Sequence, residues 1–516
     1  MKKIFAAIIF IAMPLMAGAQ ALKGSYFIDN SMNRHELNPA FAPRANYFQM
    51  LGIGNMGFGA MTNLDIPTFF YPKNGELLTF LHPGVSVKEF DKALAKHPHF
   101  DVDYHTTLFG FGFYTKNLSY WTFDVDVKSS LDVDLPRDLF MFMKKGTGTS
   151  GQSFNIGNIN AYFSAGLQVS LGYSRNIIDG LRAGIKARFI APIAYVGLNL
   201  ENVRLDTSVD KWRLTTEGYA HAALNGLDIS GLELSTKSGS YYDDMMYDPY
   251  GYGYGYGSAS VESNNTSSMG FDLNRMLSNG VLAGMGVSFD LGVEWTLKLG
   301  TIFDGLSVSA AVTDLGVINY KPEATTSYKS GGFVEWAGFQ GISMDNLELE
   351  DSINEFVENA KSNLLNFSEM NTDAGFKRST MPRFYLGAEM PFLKNTMSVG
   401  LLYSSRISHS YARQELTLSY NLNPCKWFAL GVNYSFLNTA NTMGFIFEFT
   451  PKGGPAFYIG ADYLPVTWTN APMLMGENSA FNMIPLSARL NLNFGFALHL
   501  GSKHLKKKVV KKYEFE

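Results

Sequence analysis

The sequence predicts an all-β protein, a transmembrane antiparallel β-barrel of about fourteen strands with long, partly helical outer loops. Three observations carry the prediction. Apolar and polar residues alternate strictly over stretches of about ten residues, as on a strand that meets hydrocarbon on one face and a polar interior on the other. Only 17% of the 516 residues are charged, beside 14% aromatics and 50 glycines; ordinary soluble domains carry about 25% charge. The first twenty residues read as an export signal. The formal net charge of −4 offers no polyanion-binding footprint, which excludes nucleic acid as a partner.

The signal comes first in the chain. Lys2 and Lys3 precede the apolar run IFAAIIFIAMPLM and then AGAQ, the pattern of a signal peptide, residues 1–19, cut after Ala19. Cys425 is the only cysteine, so an intrachain disulfide is excluded, and no cysteine follows the cut to take a lipid anchor. After residue 20 no apolar run reaches the roughly 18 residues that a spanning helix needs. An exported chain of this kind can still cross a membrane as strands.

In GVSFDLGVEWTLKL, Val287, Phe289, Leu291, Val293, Trp295 and Leu297 alternate with Ser288, Asp290, Gly292, Glu294, Thr296 and Lys298. FALGVNYSF (428–436) and RLNLNFGFAL (489–498) repeat the pattern. A large soluble β-sandwich also alternates, but it buries its apolar face and gives no reason for an export signal or for a second face of glycines and charges. Strands are expected near 46–57, 105–115, 118–128, 160–174, 181–199, 286–298, 306–318, 384–391, 396–408, 411–422, 426–437, 441–450, 455–463 and 485–499. Alternate connections are short and turn-like (TKN, RNIIDG, TIFDG, FLKN, NPC, PKGG), whereas the others include the insertions 58–104, 129–159, 200–285, 319–383 and 464–484. Short turns belong on the periplasmic side of a bacterial barrel and long loops outside, which places both chain ends in the periplasm. Segments 202–222 and 324–338 alternate well enough to be strands, yet either one alone would put a long insertion in the periplasm; both are assigned to outer loops.

The loops have local structure of their own. Ser86 and Glu89 stand at capping-box spacing before Val87, Phe90, Ala93 and Leu94, and Ser352 and Glu355 repeat the device before Phe356, Val357, Ala360 and Leu364, so two short amphipathic helices are expected. The tract from Tyr241, YYDDMMYDPYGYGYGYG, is low-complexity. His97, His99, Asp101, Asp103 and His105 share one face of an extended segment, a spacing from which neighbours could share a metal. That face runs on into Thr107, Phe109, Phe111 and Phe113, which are expected to face lipid, so a solvated outer continuation is the preferred account and no metal is assigned. His409 lies in an outer turn without a placed acid, no catalytic residue is assigned, and the basic segment 501–516 is a periplasmic tail.

The same parity sends Asp124, Asp126, Arg182, Lys186, Arg188, Asp290, Glu294, Lys298, Glu389, Glu448, Asp462 and Arg489 into the lumen. Arg188 and Arg489 are the expected basic partners of Glu294. Both signs occur, and unpaired burial is costly, so the charges need water or one another.

Asn38-Pro39-Ala40-Phe41, in NRHELNPAFAP, resembles the box near the N-terminus of FadL-type outer-membrane proteins, the long-chain fatty-acid transporters. VTDLGVINY, Val312 to Tyr320, is similar to a segment of PorV-type barrels, FadL relatives associated with type IX secretion. The resemblance implies that residues 20–45 fold back as a hatch into the barrel of residues 46–500, leaving it mostly closed. It implies passage of a hydrophobic small molecule, or alternatively a docking platform for exported or periplasmic proteins. Partners are then outer-membrane lipid and one of those two, no cofactor is implied, and the location is the outer membrane. An epitope tag inserted within residues 248–257 is expected to be reached by antibody on intact cells. A tag after Glu516 should be reached only after the outer membrane is permeabilised; surface labelling there would overturn the strand parity.

Overall fold

The computed structural model describes residues 21–500 apart from 51–53, 74–75, 116, 147–151, 208–211, 225–226, 229–269, 272–280, 299, 301–303, 337–366, 371–374, 394–395, 408–411, 426, 438–440, 452–453, 467, 471–482 and 486–488. The signal peptide, the tyrosine-rich tract, the helix expected from Ser352, His409 and the basic tail therefore lie outside the described residues.

Fourteen antiparallel strands close on themselves. They are β1 (Asn46–Met50, resumed at Asn55–Thr62), β2 (His99–Tyr114), β3 (Tyr120–Asp134), β4 (Gln152–Ile178), β5 (Leu181–Thr207), β6 (Gly284–Thr296) and β7 (Ser307–Tyr320). The wall continues with β8 (Arg383–Phe392), β9 (Met397–Ile407), β10 (Ala412–Cys425), β11 (Phe428–Phe436), β12 (Thr442–Phe449), β13 (Pro455–Pro465) and β14 (Leu490–Leu500). β1 bonds to β2 on one side and to β14 on the other, so the sheet has no free edge at the seam. Closure pairs the backbone polar groups without help from solvent, which is what hydrocarbon demands. An even number of strands brings both ends of the wall to one side.

The side chains confirm the medium on each face. On β6, Val287, Phe289, Leu291, Val293 and Trp295 are between 43% and 52% exposed, while Ser288 and Asp290 between them are 1% and 0% exposed. A soluble protein does the reverse; a belt of this kind is stable against lipid. At the end with short turns, Trp121 packs on Tyr173 at 4.7 Å and Trp427 on Phe449 at 5.4 Å, the aromatic girdle of an interface. The turn Asp179-Gly180 joins β4 to β5 in two residues, and Gly180 takes φ +79°, a conformation that two-residue hairpins require and side chains resist.

β4 and β5 each run for 27 residues, whereas about 10 tilted residues cross a membrane. The surplus rises beyond the rim. β6 pairs with β5 only as far as Ile190, and the upper half of β5 is covered instead by Trp212–Leu224, which in turn pairs with Thr325–Trp336. Segments 202–222 and 324–338 are thus not plain loops: the strands Trp212–Leu224 and Thr325–Trp336 within them stand above β6 and β7 as extensions of the wall. They add none to the fourteen, because each continues a passage the wall already makes. The reason is the edge that a long β5 would leave unpaired.

Residues 63–98 and 135–146 build a small cap with its own core, in which Tyr71, Phe80, Val85, Phe90, Leu94, Phe140 and Met141 pack together. Besides the single helical turn Ile66–Phe69, it holds two longer helices, α1 (Val87–Ala93) and α2 (Arg137–Lys145). Ser86 caps α1 as expected, its hydroxyl accepting the Glu89 N–H at 3.2 Å. Glu89 does not reach back; it pairs with Lys73 at 2.7 Å, and that ammonium holds its carboxyl below the usual carboxylate range. Among the described residues no helix is long and apolar enough to cross a membrane. Val293→Arg is expected to cost about 2–4 kcal/mol of barrel stability, because Arg there meets hydrocarbon. Denaturant unfolding in lipid vesicles measures it, and an unchanged midpoint would contradict the lipid-facing assignment.

Candidate functional site

The lumen is occupied by the chain's own segment Ala21–Ala45. Tyr26, Phe27, Leu37 and Phe41 pack there against Ala311, Tyr385 and Leu402 of the wall, with Tyr26 edge-on to Phe27 at 5.0 Å and to Phe41 at 4.9 Å. The small residues on the inner face of the strands make room for these rings: a methyl group at Gly400 would come within 2.5 Å of Phe27. At the predicted Asn-Pro-Ala-Phe box, the Asn38 carboxamide accepts the Ala40 N–H at 2.9 Å and donates to the Val293 carbonyl at 3.1 Å. The first bond is the Asx turn that Asn before a turn favours; the second ties the box to β6. Any Cβ at Gly292 would collide with Asn38 and Pro39.

Charge fastens the plug elsewhere. The Lys23 ammonium pairs with Glu415 and donates to the Tyr463 hydroxyl at 2.7 Å, while the backbone N–H groups of Lys23 and Gly24 donate to Asp462 at 2.6 and 2.9 Å. His35 and Lys186 meet on Asp124 at 3.0 and 2.9 Å. Arg34 donates to Asp29 at 2.7 Å and lies over the Phe41 ring at 4.0 Å, a cation–π contact. Glu36 accepts from Asn55 at 2.9 Å. The plug is therefore joined to β1, β3, β6, β10 and β13, from opposite sides of the barrel.

Of the residues expected to face the lumen, Asp124, Asp126, Lys186, Arg188, Asp290, Glu448, Asp462 and Arg489 are buried within it. Arg182, Glu294 and Glu389 are half-buried. Lys298 is not a lumen charge: β6 ends at Thr296, and Lys298 lies in the turn beyond, exposed and paired with Asp179 at 2.6 Å. Nor do Arg188 and Arg489 serve Glu294. Arg188 is taken by Asp290 at 2.5 Å and by Asp314, and Arg489 donates to the Thr62 carbonyl at 2.8 Å and faces Asp65 at 3.9 Å. The residue opposite Glu294 in register is Arg182. Glu448 is 1% exposed, and neither carboxylate oxygen has a hydrogen-bond partner among the described residues.

The histidine-aspartate stretch is placed differently from expectation. Its face does not continue into the lipid-facing phenylalanines, because β2 carries a bulge: Thr107 pairs with Asp126 and Phe109 with Val125. One extra residue reverses the side-chain parity. His99, Asp101, Asp103, His105 and Thr107 consequently point inward and are buried, Thr107 donating to Asp126 at 2.8 Å, while Phe109, Phe111 and Phe113 point outward; His97, before the strand, is exposed. The carboxylates are engaged by arginines and not by a metal-like cluster: Asp101 pairs with Arg413, Asp103 with Arg406 at 2.9 Å, and Asp132 with Arg406 at 3.1 Å. Among the described residues no histidine, cysteine and carboxylate group has the arrangement of a metal site.

Among the described residues, an outer and an inner chamber lie beside the plug. The outer one, about 830 Å³, lies under the cap and is lined by Lys23, Arg413, Glu415, Arg489 and the stretch Asp91–His97 among others. The inner one, about 160 Å³, lies between Ala21 and Glu36 of the plug and a wall arc that includes Lys128, Arg188, Asp314, Arg383 and Arg406.

Residues 39–462 match the model of a family described as Family of unknown function (DUF5723). The chain belongs to that family. The match opens at Pro39 in the plug and closes at Asp462, so it takes in the box from Pro39 onward and the wall from β1 into β13. No curated protein matches. Among solved structures the chain is similar to the toluene transporter TodX of Pseudomonas putida, at 9% identity and a TM-score of 0.35 over 94% of this chain and 96% of that one. It is also similar to the beta domain of the Bordetella autotransporter BrkA, at 7% identity and a TM-score of 0.23 over 88% and 99%.

Several residues that shape this DUF5723 lumen were not foreseen. Arg406, Arg413 and Glu415 share the parity of the buried Ser404 and Thr417, and extending the alternation to the strand ends would have found them. Asp314 sits at a bulge of β7, between Val312 paired with Leu291 and Leu315 paired with Phe289, where alternation carries no signal. Arg406→Ala would leave Asp103 buried without its arginine and Asp132 with only the more distant Arg413, at 3.7 Å, and a loss of about 3–5 kcal/mol is expected. Denaturant unfolding of the two proteins in parallel measures the difference; a loss below about 1 kcal/mol would show that water compensates these carboxylates.

Proposed function

We propose that this protein is a plugged channel of the outer membrane, with both chain ends in the periplasm, that passes a small solute when the segment Ala21–Ala45 shifts. The observation that supports it is how the plug is held. Its anchors are ion pairs and hydrogen bonds to the wall, through Lys23, His35 and Asn38, and buried ion pairs contribute little net stability once desolvation is counted. A plug held in this way is costly to remove one partner at a time, yet nearly balanced as a whole against a wet, displaced state. The plug does pack apolar side chains on the wall, but in three separate clusters, around Tyr26, Ile28 and Met32, and not in one continuous core.

The hydrophobic small molecule implied by the FadL resemblance needs an apolar passage. The chambers here are lined by charged and hydroxyl groups interleaved with Tyr, Ile, Leu, Pro and Ala side chains, and the charged groups offer a polar solute specific contacts that an apolar one cannot use. Docking of exported proteins has one feature in its favour, the sheet that carries β4 and β5 above the rim, which would give a partner backbone and side chains to meet. Deleting residues 20–45 is expected to leave an assembled barrel whose conductance in planar bilayers rises severalfold over that of the full chain. Conductance equal to that of the full chain would refute the channel, since the plug is then not what closes the lumen.

A further inference from the structure

We propose that the inner chamber is a binding site for a small oxyanion, a carboxylate or a phosphate, held by Lys128, Arg383 and Arg406. The proposal rests on the channel reading and gives the solute its charge.

Size comes first. A cavity of about 150 Å³ accepts benzene, so the chamber's 160 Å³ suits about six non-hydrogen atoms, the size of phosphate or a short organic acid. Charge comes second: five of the ionisable residues around the chamber are Lys or Arg, and three are Asp or Glu. The third observation is local. Arg383 on β8 and Arg406 on β9 are directly opposite in register, two like charges side by side; Asp103 and Asp132 offset Arg406, while Arg383 has only Asp314, at 4.0 Å. Arg406 spends its two terminal nitrogens on Asp103 and Asp132. Its Nε–H and that of Arg383 are both buried and have no hydrogen-bond partner among the described residues. Two guanidinium groups lining one chamber suit the planar, two-oxygen edge of a carboxylate or phosphate better than a single hydroxyl.

Asp314 shows what an anion does there. Its carboxylate pairs with Arg188 and lies 4.0 Å from the Arg383 Nε, and to reach this position its backbone takes φ +58° within the β7 bulge. Non-glycine residues adopt that conformation at a cost, Asp more readily than most, and such strain gathers at functional sites. Asp314 thus acts as a tethered competitor, satisfying part of the cationic surface and leaving the rest for a ligand.

The test titrates inorganic phosphate, and separately acetate, into the full-length barrel in detergent and a chloride buffer by calorimetry, with glucose as the neutral comparison. Saturable binding of at least one anion and none of glucose is expected, and which anion binds more tightly tells phosphate from carboxylate. Arg383→Gln and Lys128→Gln should each weaken that binding at least tenfold, and Asp314→Asn should tighten it. Lys128 has no close ion pair with the described residues but faces the charges of Glu36, Asp126 and Asp314, so the unfolding midpoint of its variant, measured alongside, separates ligand contact from folding. No anion binding, equal binding of glucose, or unchanged affinity in both Gln variants would overturn the site. The titration needs no current: a barrel that binds anion but never conducts loses the channel and keeps the site, and one that conducts without its plug but binds no anion loses the site alone.

Discussion

Pairing of buried charge inside the lumen, between neighbouring strands as for Arg188 with Asp290 and across it as for Arg406 with Asp103 and Asp132, is the interaction on which the rest of this structure depends. A barrel whose outer face must be apolar places its polar residues on the inner face of the same strands, because side chains alternate. Strands packed into a ring bring those residues within reach of one another, and each charge must find an opposite or water. Several partners here lie far apart in sequence, as Arg406 does from Asp103. Closure of the sheet is what makes the pairs, and the pairs in turn resist opening of the sheet.

The plug obeys the same constraint from the other side. Segment Ala21–Ala45 carries Lys23, Arg34, His35 and Glu36 into the lumen, each meeting a group of opposite character there or within the plug itself. Its aromatic residues lie where the inner face is glycine or alanine, at Gly400 and Ala311 for instance. The second face of the strands is therefore small and charged for one reason: it is the mould for a folded-back segment that is itself both aromatic and charged.

Irregularities in the wall sit where this arrangement needs them. The bulge in β2 turns a stretch of histidines and aspartates inward above the level where the same strand shows phenylalanines to lipid. The bulge in β7 places Asp314 between Arg188 and Arg383. Each inserts one residue and so redirects everything beyond it. Above the rim, the extra length of β4 and β5 recruits two more segments as strands, since a long unpaired edge would otherwise be left open.

Much of this was legible in the residues. Alternation over β6, β11 and β14 fixed the faces and, with turn length, the number fourteen, because a period of two allows each regular strand only one way to meet lipid. At Asn38-Pro39 the residues themselves specified only a local turn; that the segment around it folds back was an implication of the resemblance and not of the residues. Other features had no local signal. A bulge is one residue of surplus relative to a neighbouring strand, so it exists only once pairing is known; the faces of Asp101 and Asp314 could not be read before β2 met β3 and β7 met β6. Partnership between charges depends on closure, which brings Arg413 of β10 to Asp101 of β2. The sequence by itself determined which residues face lipid in the regular strands, since hydrocarbon selects them one position at a time. Only the tertiary structure decided which charges pair and what the plug touches, since those contacts join residues that nothing but the closed ring brings together.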